Sequence, residues 1–527
     1  MTTRERWLLV AGAILLLAVG AWTWAQHDTP VASAETAQAG PRTSPFSPDE
    51  VRTFLAAAQK AEPITDPLQR CLAYPDPPGS HWSHQTVEAY CRYLLTTGLY
   101  FNDLKALIEA GRANEADHRM AALLQRQLAN RNDRGLLDGT YEMDFDRVSP
   151  QIRPIVDAWK RESPQSAYAY AASGIAYVAA AWDARGGDII AATPGENLDS
   201  MERLLTEGMS DLEQAVKLEP RLVPAYAAMI RVAGLGGGRN SRNFALTVAG
   251  HALTTDPSNY LIYARLSWLA EPKWGGSAKA MRWVGSAAQQ HVGDNPLLVL
   301  IQDHAPIFEA GLDNCDCTHA AQFASYRHIF GEIGTESRMG RAGMYAEDNN
   351  YYDVAVIYLS EALRFNPGNG NYLEPRANAL VNLHQYAWAV TDGDHAVKAN
   401  AEDKYAWTAR GYAYRSAQDY AHAEHDYLAA LTLVPGDAWT LDELGRIYVY
   451  STHEWDKGWN VANQLIQSHP ENADGWIFRA SIQKDQPRPG LDDTINYFLV
   501  HFGDDPSQQV VVAQMRQHLA QESQKTR

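Results

Sequence analysis

Alternating apolar and polar runs, the pattern of half-buried strands, are scarce throughout these 527 residues, so a sheet has little material to form from. Also missing are a Gly-x-Ser-x-Gly elbow, a His-Glu-x-x-His pair and a Gly-x-Gly-x-x-Gly dinucleotide fingerprint, the signatures of several large enzyme classes. The glycine cluster GLGGGR at 234–239 has no Gly-Lys-Ser/Thr after it and no apolar strand before it, and reads as a hairpin turn. Positive charge is in deficit, with 45 Lys and Arg against 63 Asp and Glu; the net charge of −18 repels phosphate backbones and argues against general nucleic-acid binding. No catalytic residue, cofactor or metal is expected from these absences.

Long hydrophobic runs are also few, and the one that stands out comes first. Residues 7–25, WLLVAGAILLLAVGAWTWA, carry no charge and are long enough to span a hydrocarbon core of ~30 Å. Arg4 and Arg6 precede the run and no Lys or Arg follows until Arg42, so the positive-inside rule puts the N-terminus in the cytoplasm. The expectation is a single-pass bacterial inner-membrane protein with a periplasmic body, tethered by a flexible linker over 26–47. The alternative is cleavage near Ala25 and export of a soluble body.

Export would change how the four cysteines are read, because an oxidising compartment favours disulfides. Cys71 and Cys91 flank a stretch in which Pro75, Pro77, Pro78 and Gly79 delay helix formation until about Ser83, and they are the expected pair. Cys315 and Cys317, in NCDCTH, are a second possible pair, strained by their closeness. With His319 they offer only three ligands for a soft metal, too few for a site to be expected.

A chain this long would divide into several cores unless it were a repeat array. Pro367, Ala401, Pro435 and Pro470 fall 34, 34 and 35 residues apart, with small residues twelve positions earlier at Ala355, Ala389, Ala423 and Gly458. The unit 404–437 carries Trp407, Gly411, Tyr414, Tyr420, Ala423, Tyr427, Ala430 and Pro435. In this it resembles the tetratricopeptide (TPR) family, whose repeats are antiparallel helix pairs with small residues where the axes approach. The resemblance implies an all-α, right-handed TPR-type solenoid with repeats over 336–506, a capping helix and tail over 507–527, and an N-terminal helical domain over 48–335. Within that domain, helix pairs are expected at about 166–184 with 199–217, 222–233 with 241–254 and 258–269 with 277–291.

Roughly residues 90–300 are similar to a bacterial family known as domain of unknown function 4034, through Trp159, Pro164-Gln165-Ser166, AWDARGG at 181–187 and EPKWGGS at 271–277. That family implies no activity. Arg185, Trp274, Gly275, Gly276 and Ser277 form a possible anion or sugar loop, since a Gly-Gly pair before an N-cap serine exposes backbone N–H groups; the plainer reading is a tight turn with Trp274 plugging the core. His422 and His425 lie three apart on one helical face and read as solvated side chains.

In TPR arrays the first helix of each unit lines a concave groove. Carried onto this chain, the resemblance implies a surface of Asn371, Glu374, Asn378, Asn382, Tyr405, Thr408, Tyr412, Arg415, Thr440 and Glu443. Asparagine can hydrogen-bond a peptide main chain, and tyrosine adds contact area at low entropic cost. The expected function is a membrane-anchored, periplasm-facing scaffold that holds a protein or extended peptide. The alternatives are a ligand-binding or enzymatic N-terminal domain near Arg185 and Trp274, and a structural part of an envelope or secretion assembly.

Overall fold

The structure is a computed structural model. It describes the backbone of residues 44–525 except 97, 188–191, 237, 303, 310–319 and 487. Ser44–Arg527 forms one compact unit. Among the described residues every regular element is helical and no strand occurs.

The expected inner-membrane placement has to be corrected. Among the described residues no helix is long and apolar enough to cross a membrane. The span read at 7–25 lies outside them, as do most of the linker and Cys315, Cys317 and His319. A single-pass membrane protein is therefore not supported.

In the C-terminal part the helices come in antiparallel pairs: Glu336–Asp348 with Tyr352–Phe365, Gly370–Asn382 with Tyr386–Ala399, and Lys404–Ser416 with Tyr420–Leu433. Next are Ala438–Arg446 with Trp455–Ser468 and Ala473–Asp485 with Leu491–Phe502, and Gln509–Lys525 ends the series. Three local devices recur with the period of the prolines. Asn369, Asp403, Asp437 and Asn472 cap the first helices by accepting a backbone N–H from the opening turn, a contribution of about 0.5–2 kcal/mol each. Asn350, His384, Gln418 and His453 take left-handed φ of 62°, 60°, 64° and 55° at the bend between the helices of a pair, a conformation that non-glycine residues seldom adopt. Third, Arg376 and Arg410, one period apart, each grip an aspartate of the following helix through two hydrogen bonds, to Asp392 at 2.7 and 2.7 Å and to Asp426 at 2.7 and 2.8 Å. Small residues do what the pattern requires of them: a Cβ on Gly411 would stand 2.8 Å from the ring of Tyr427.

The upstream half is helical too, with pairs at Ala167–Arg185 and Gly195–Leu218, Val223–Gly236 and Gly238–Thr255, and Tyr260–Leu269 and Ala278–Gln289. Its apolar side chains from Leu99 to Ala305 form one core. A second core joins distant parts of the chain, residues between Phe46 and Cys91 packing with residues between Leu297 and Ala413. The N-terminal segment enters it through helix Pro48–Ala61, which Ser47 and Glu50 open with a reciprocal capping box. Helices Pro67–Ala73 and His84–Leu95 follow, and a disulfide joins them between Cys71 and Cys91, 20 residues apart.

This segment covers the first repeat. Trp82 Nε1 donates to the Phe330 carbonyl at 2.7 Å, Arg70 Nη1 to Leu363 at 3.0 Å, and Arg364 Nε to the Cys71 carbonyl at 2.7 Å. As a result every residue of helix Tyr352–Phe365 from Val354 onward is buried. A helix with one face open would show a polar stripe; this one has neighbours all round.

Candidate functional site

The first helices of four consecutive pairs and their connecting turns enclose a cleft of about 420 Å³. Asn378, Asn382, Tyr405, Thr408, Tyr412, Arg415 and Glu443 line it. Asn371, Glu374 and Thr440 do not: Asn371 is exposed next to its cap, Glu374 is half-buried, and Thr440 is buried with its hydroxyl donating to Asp437 at 2.7 Å. The cleft also includes Glu347, Tyr352, Lys404, Asp437 and Trp439, which the groove pattern in the sequence does not single out. Tyr352 comes from a second helix rather than a first. Lys404, Asp437 and Trp439 sit at helix starts, where capping register rather than helical periodicity decides the direction of the side chain. A signal was available for Lys404 and Asp437, because an N1 lysine and an N-cap aspartate one unit later fall on adjacent turns.

Aromatic rings set the shape of the cleft. Tyr405 is 58% exposed and Trp439 46%, high values for rings of this size. Tyr412 meets Trp439 edge-on at 6.2 Å, and Trp439 in turn meets the buried Tyr427 at 5.9 Å, so one wall is a braced aromatic row. Apart from Glu347, the charges among the lining residues are paired. Lys404 contacts Asp437, and Arg415 contacts Glu443, which also accepts from the Tyr427 hydroxyl at 3.2 Å. The Lys404 ammonium also lies 4.7 Å from the Tyr405 ring centre, and the Arg415 guanidinium 5.4 Å from that of Tyr412. Burial, reinforced by Asp348 and opposed by a hydrogen bond from Asn378, pushes the Glu347 carboxyl up to about 7. Burial and Asp403 do the same to Glu374 beside the cleft, also to about 7.

The Trp274 loop is built differently. Trp182, Trp268 and Trp274 pack against one another at 4.8–5.7 Å. Arg185 lies 5.9 Å from the Trp182 ring centre, so it and Trp274 do meet the same side chain. The backbone groups that an anion would need are occupied, however: Gly275 N donates to Pro272 O at 2.7 Å, Gly276 N to Glu271 O at 3.0 Å, and Ser277 N to Ala270 O at 2.8 Å. Arg242 holds the carbonyls of Trp274 and Gly275 from outside. Gly276 has no room for a side chain, since a Cβ would fall 1.9 Å from the Ala270 carbonyl oxygen. Ser277 accepts from Ala280 N at 3.2 Å and caps the helix. This is a packed turn, and its amides form no anion cradle.

Among curated proteins none matches the sequence. Among solved structures, yeast Tom70 is similar at 14% identity, with 80% of this chain and 88% of that one covered and a TM-score of 0.30. The TPR domain of P58(IPK) is similar at 13% identity, covering 62% and 98%, with a TM-score of 0.18. The resemblance read over residues 90–300 is not shown by these comparisons. What the comparisons do show is a tetratricopeptide repeat at residues 405–437, the stretch that supplies Tyr405, Thr408, Tyr412 and Arg415 to the cleft.

Proposed function

We propose that the chain is a non-catalytic scaffold for protein–protein interaction and that the cleft between Asn378 and Glu443 is its working surface, holding an extended peptide segment. The observation that carries this reading is the pair of exposed rings, Tyr405 and Trp439, on a polar cleft whose charges, Glu347 apart, are already matched. Rings kept at a surface cost hydrophobic free energy unless a partner covers them. Asn378 and Asn382 provide amide donors and acceptors for a peptide main chain. We further propose that the repeats over 336–506 act as one array, with 48–335 as its N-terminal helical domain and 507–527 as its cap. The alternative of an N-terminal anion or sugar site near Arg185 and Trp274 is disfavoured by the occupied amides of that loop.

The test is selection of peptides from a displayed random library on the whole protein, followed by anisotropy titration of the winners. Y405A/W439A removes two exposed rings and leaves the core intact, and is expected to weaken binding by ten- to a hundredfold. Peptides that bind the double variant as tightly as the parent would remove the cleft from consideration. A pH dependence is expected as well. The Glu347 and Glu374 carboxyls are raised to about 7, so the cleft region gains negative charge as pH rises through that value. A cationic peptide should therefore bind more tightly at about pH 8 than at about pH 6, and E347Q should reduce the difference. An unchanged difference in E347Q would assign it to another group.

A further inference from the structure

A pocket of about 300 Å³ lies where the two hydrophobic cores meet. Its walls are helix His84–Leu95, the turn Arg131–Asp133 with the residue after it, and residues 293–297. Three guanidinium groups face it, those of Arg92, Arg131 and Arg134, against two carboxylates, Glu88 and Asp294. The carboxylates are used by two of the arginines. Arg92 takes Glu88 from its own helix with bonds of 3.0 and 2.7 Å, and Arg131 reaches Asp294 at 3.2 Å. Arg134 is left over. Its Nη1 is sealed from solvent with no hydrogen-bond partner, and among the described residues no ion pair includes it.

Nη1 itself is closed to a ligand as it is to water, so what the pocket meets is the remainder of a half-buried guanidinium that no carboxylate pairs, and a counter-ion would supply the missing charge. Among the lining residues positive charge exceeds negative by one, in a chain of net charge −18, with Asp256 behind Arg134 rather than in the pocket wall. Burial, together with the like charge of Arg131, holds the Arg134 guanidinium below its usual range despite Asp256 and Asp294, as befits a cation short of partners. The cavity is at the lower end of the volumes that hold small ligands, and a guanidinium presents the forked donors that a planar carboxylate or a phosphate accepts.

We propose that this pocket binds a small oxyanion, a carboxylate or phosphate group, with Arg134 as its principal contact and Arg92 and Arg131 at its sides. The bound anion bridges helix His84–Leu95 of one core to the 131–134 turn of the other. The site is separate from the peptide cleft and does not depend on that reading.

Calorimetric titration of the full chain with inorganic phosphate and with succinate, at constant ionic strength, tests it and separates the two sources of the anion. Saturable binding of at least one probe is expected. R134Q should weaken it at least tenfold, about 1.4 kcal/mol, whereas R161Q, at an exposed arginine elsewhere, should leave it unchanged. D294N removes a competing carboxylate whose side chain is 58% exposed, so it should fold normally and tighten binding several-fold. The proposal is overturned if neither probe saturates, or if R134Q binds like the parent. Should R134Q fail to fold, D294N decides alone, and unchanged or weaker binding in that variant overturns the proposal.

Discussion

R376M is expected to destabilise the protein by about 3–5 kcal/mol, among the largest losses available from one side chain. Arg376 is 2% exposed and binds Asp392 twice at 2.7 Å, Glu62 at 2.8 Å, the Tyr74 hydroxyl at 3.1 Å and Ser360 at 3.2 Å. Removing the guanidinium strands Asp392, whose side chain is 1% exposed, and the cost is mainly that of a buried charge without a counter-ion. Two comparisons distinguish this from simple loss of packing. R376M/D392L removes both charges and should recover much of the loss. R410M, one period on, should cost less, because the Arg410 side chain is 16% exposed and water can reach the site. Urea unfolding followed at the tryptophans measures all three, and an R376M unfolding free energy within about 1 kcal/mol of the parent's would refute the account.

The same network gives a pH signature. Burial pushes the Glu62 carboxyl up, but Arg376 and Arg70 overcome this and hold it down at about 2. A depressed acid stabilises the fold above its unfolded value of ~4.3, and that contribution is lost as pH falls through about 2. The parent should therefore weaken between about pH 5 and about pH 2, and R376M should show a shallower decline.

C71A/C91A is expected to cost about 3 kcal/mol, the chain-entropy value for a loop of this size, the two half-cystines being 20 residues apart. Both are fully buried, and the Cys71 carbonyl receives the Arg364 guanidinium. The loss should therefore concentrate where the N-terminal segment encloses the first repeat. Hydrogen exchange is the discriminating measurement: amides of Tyr352–Phe365 should lose protection while those of Ala473–Asp485 keep theirs. Uniform loss along the chain would mean that the disulfide acts on the whole array.

The repeat was legible because its signals are local. Prolines and small residues recur every 34 or 35 positions, and helix pairs begin at Glu336, Gly370, Lys404 and Ala438 on that grid. Helix starts upstream were legible for the same reason, as at Ser277, whose hydroxyl caps a helix after a Gly-Gly pair, and at Ser83, where the run of prolines and glycine has ended. The cap series Asn369, Asp403, Asp437 and Asn472 is equally local, and it carries Lys404 and Asp437 of the cleft. Other features leave no local trace. Nothing near Arg70, Trp82 or Arg364 signals that their bonds span 248 to 293 residues, and the three arginines of the oxyanion pocket come from two separate stretches of chain.

A ribosome making this chain exposes the segment around Arg70 long before its partner exists. The bond to Leu363 spans 293 residues, which at roughly 5–20 residues per second means about 15–60 s of synthesis. During that time Phe54, Cys71 and Trp82 have no repeat helix to cover them, and the apolar surface they later bury is open to aggregation and to chaperones. Repeat arrays ordinarily avoid such waiting, because each unit needs only its neighbour. Here the first repeat must be completed by what was made first, so the chain cannot finish folding unit by unit in the order of its synthesis.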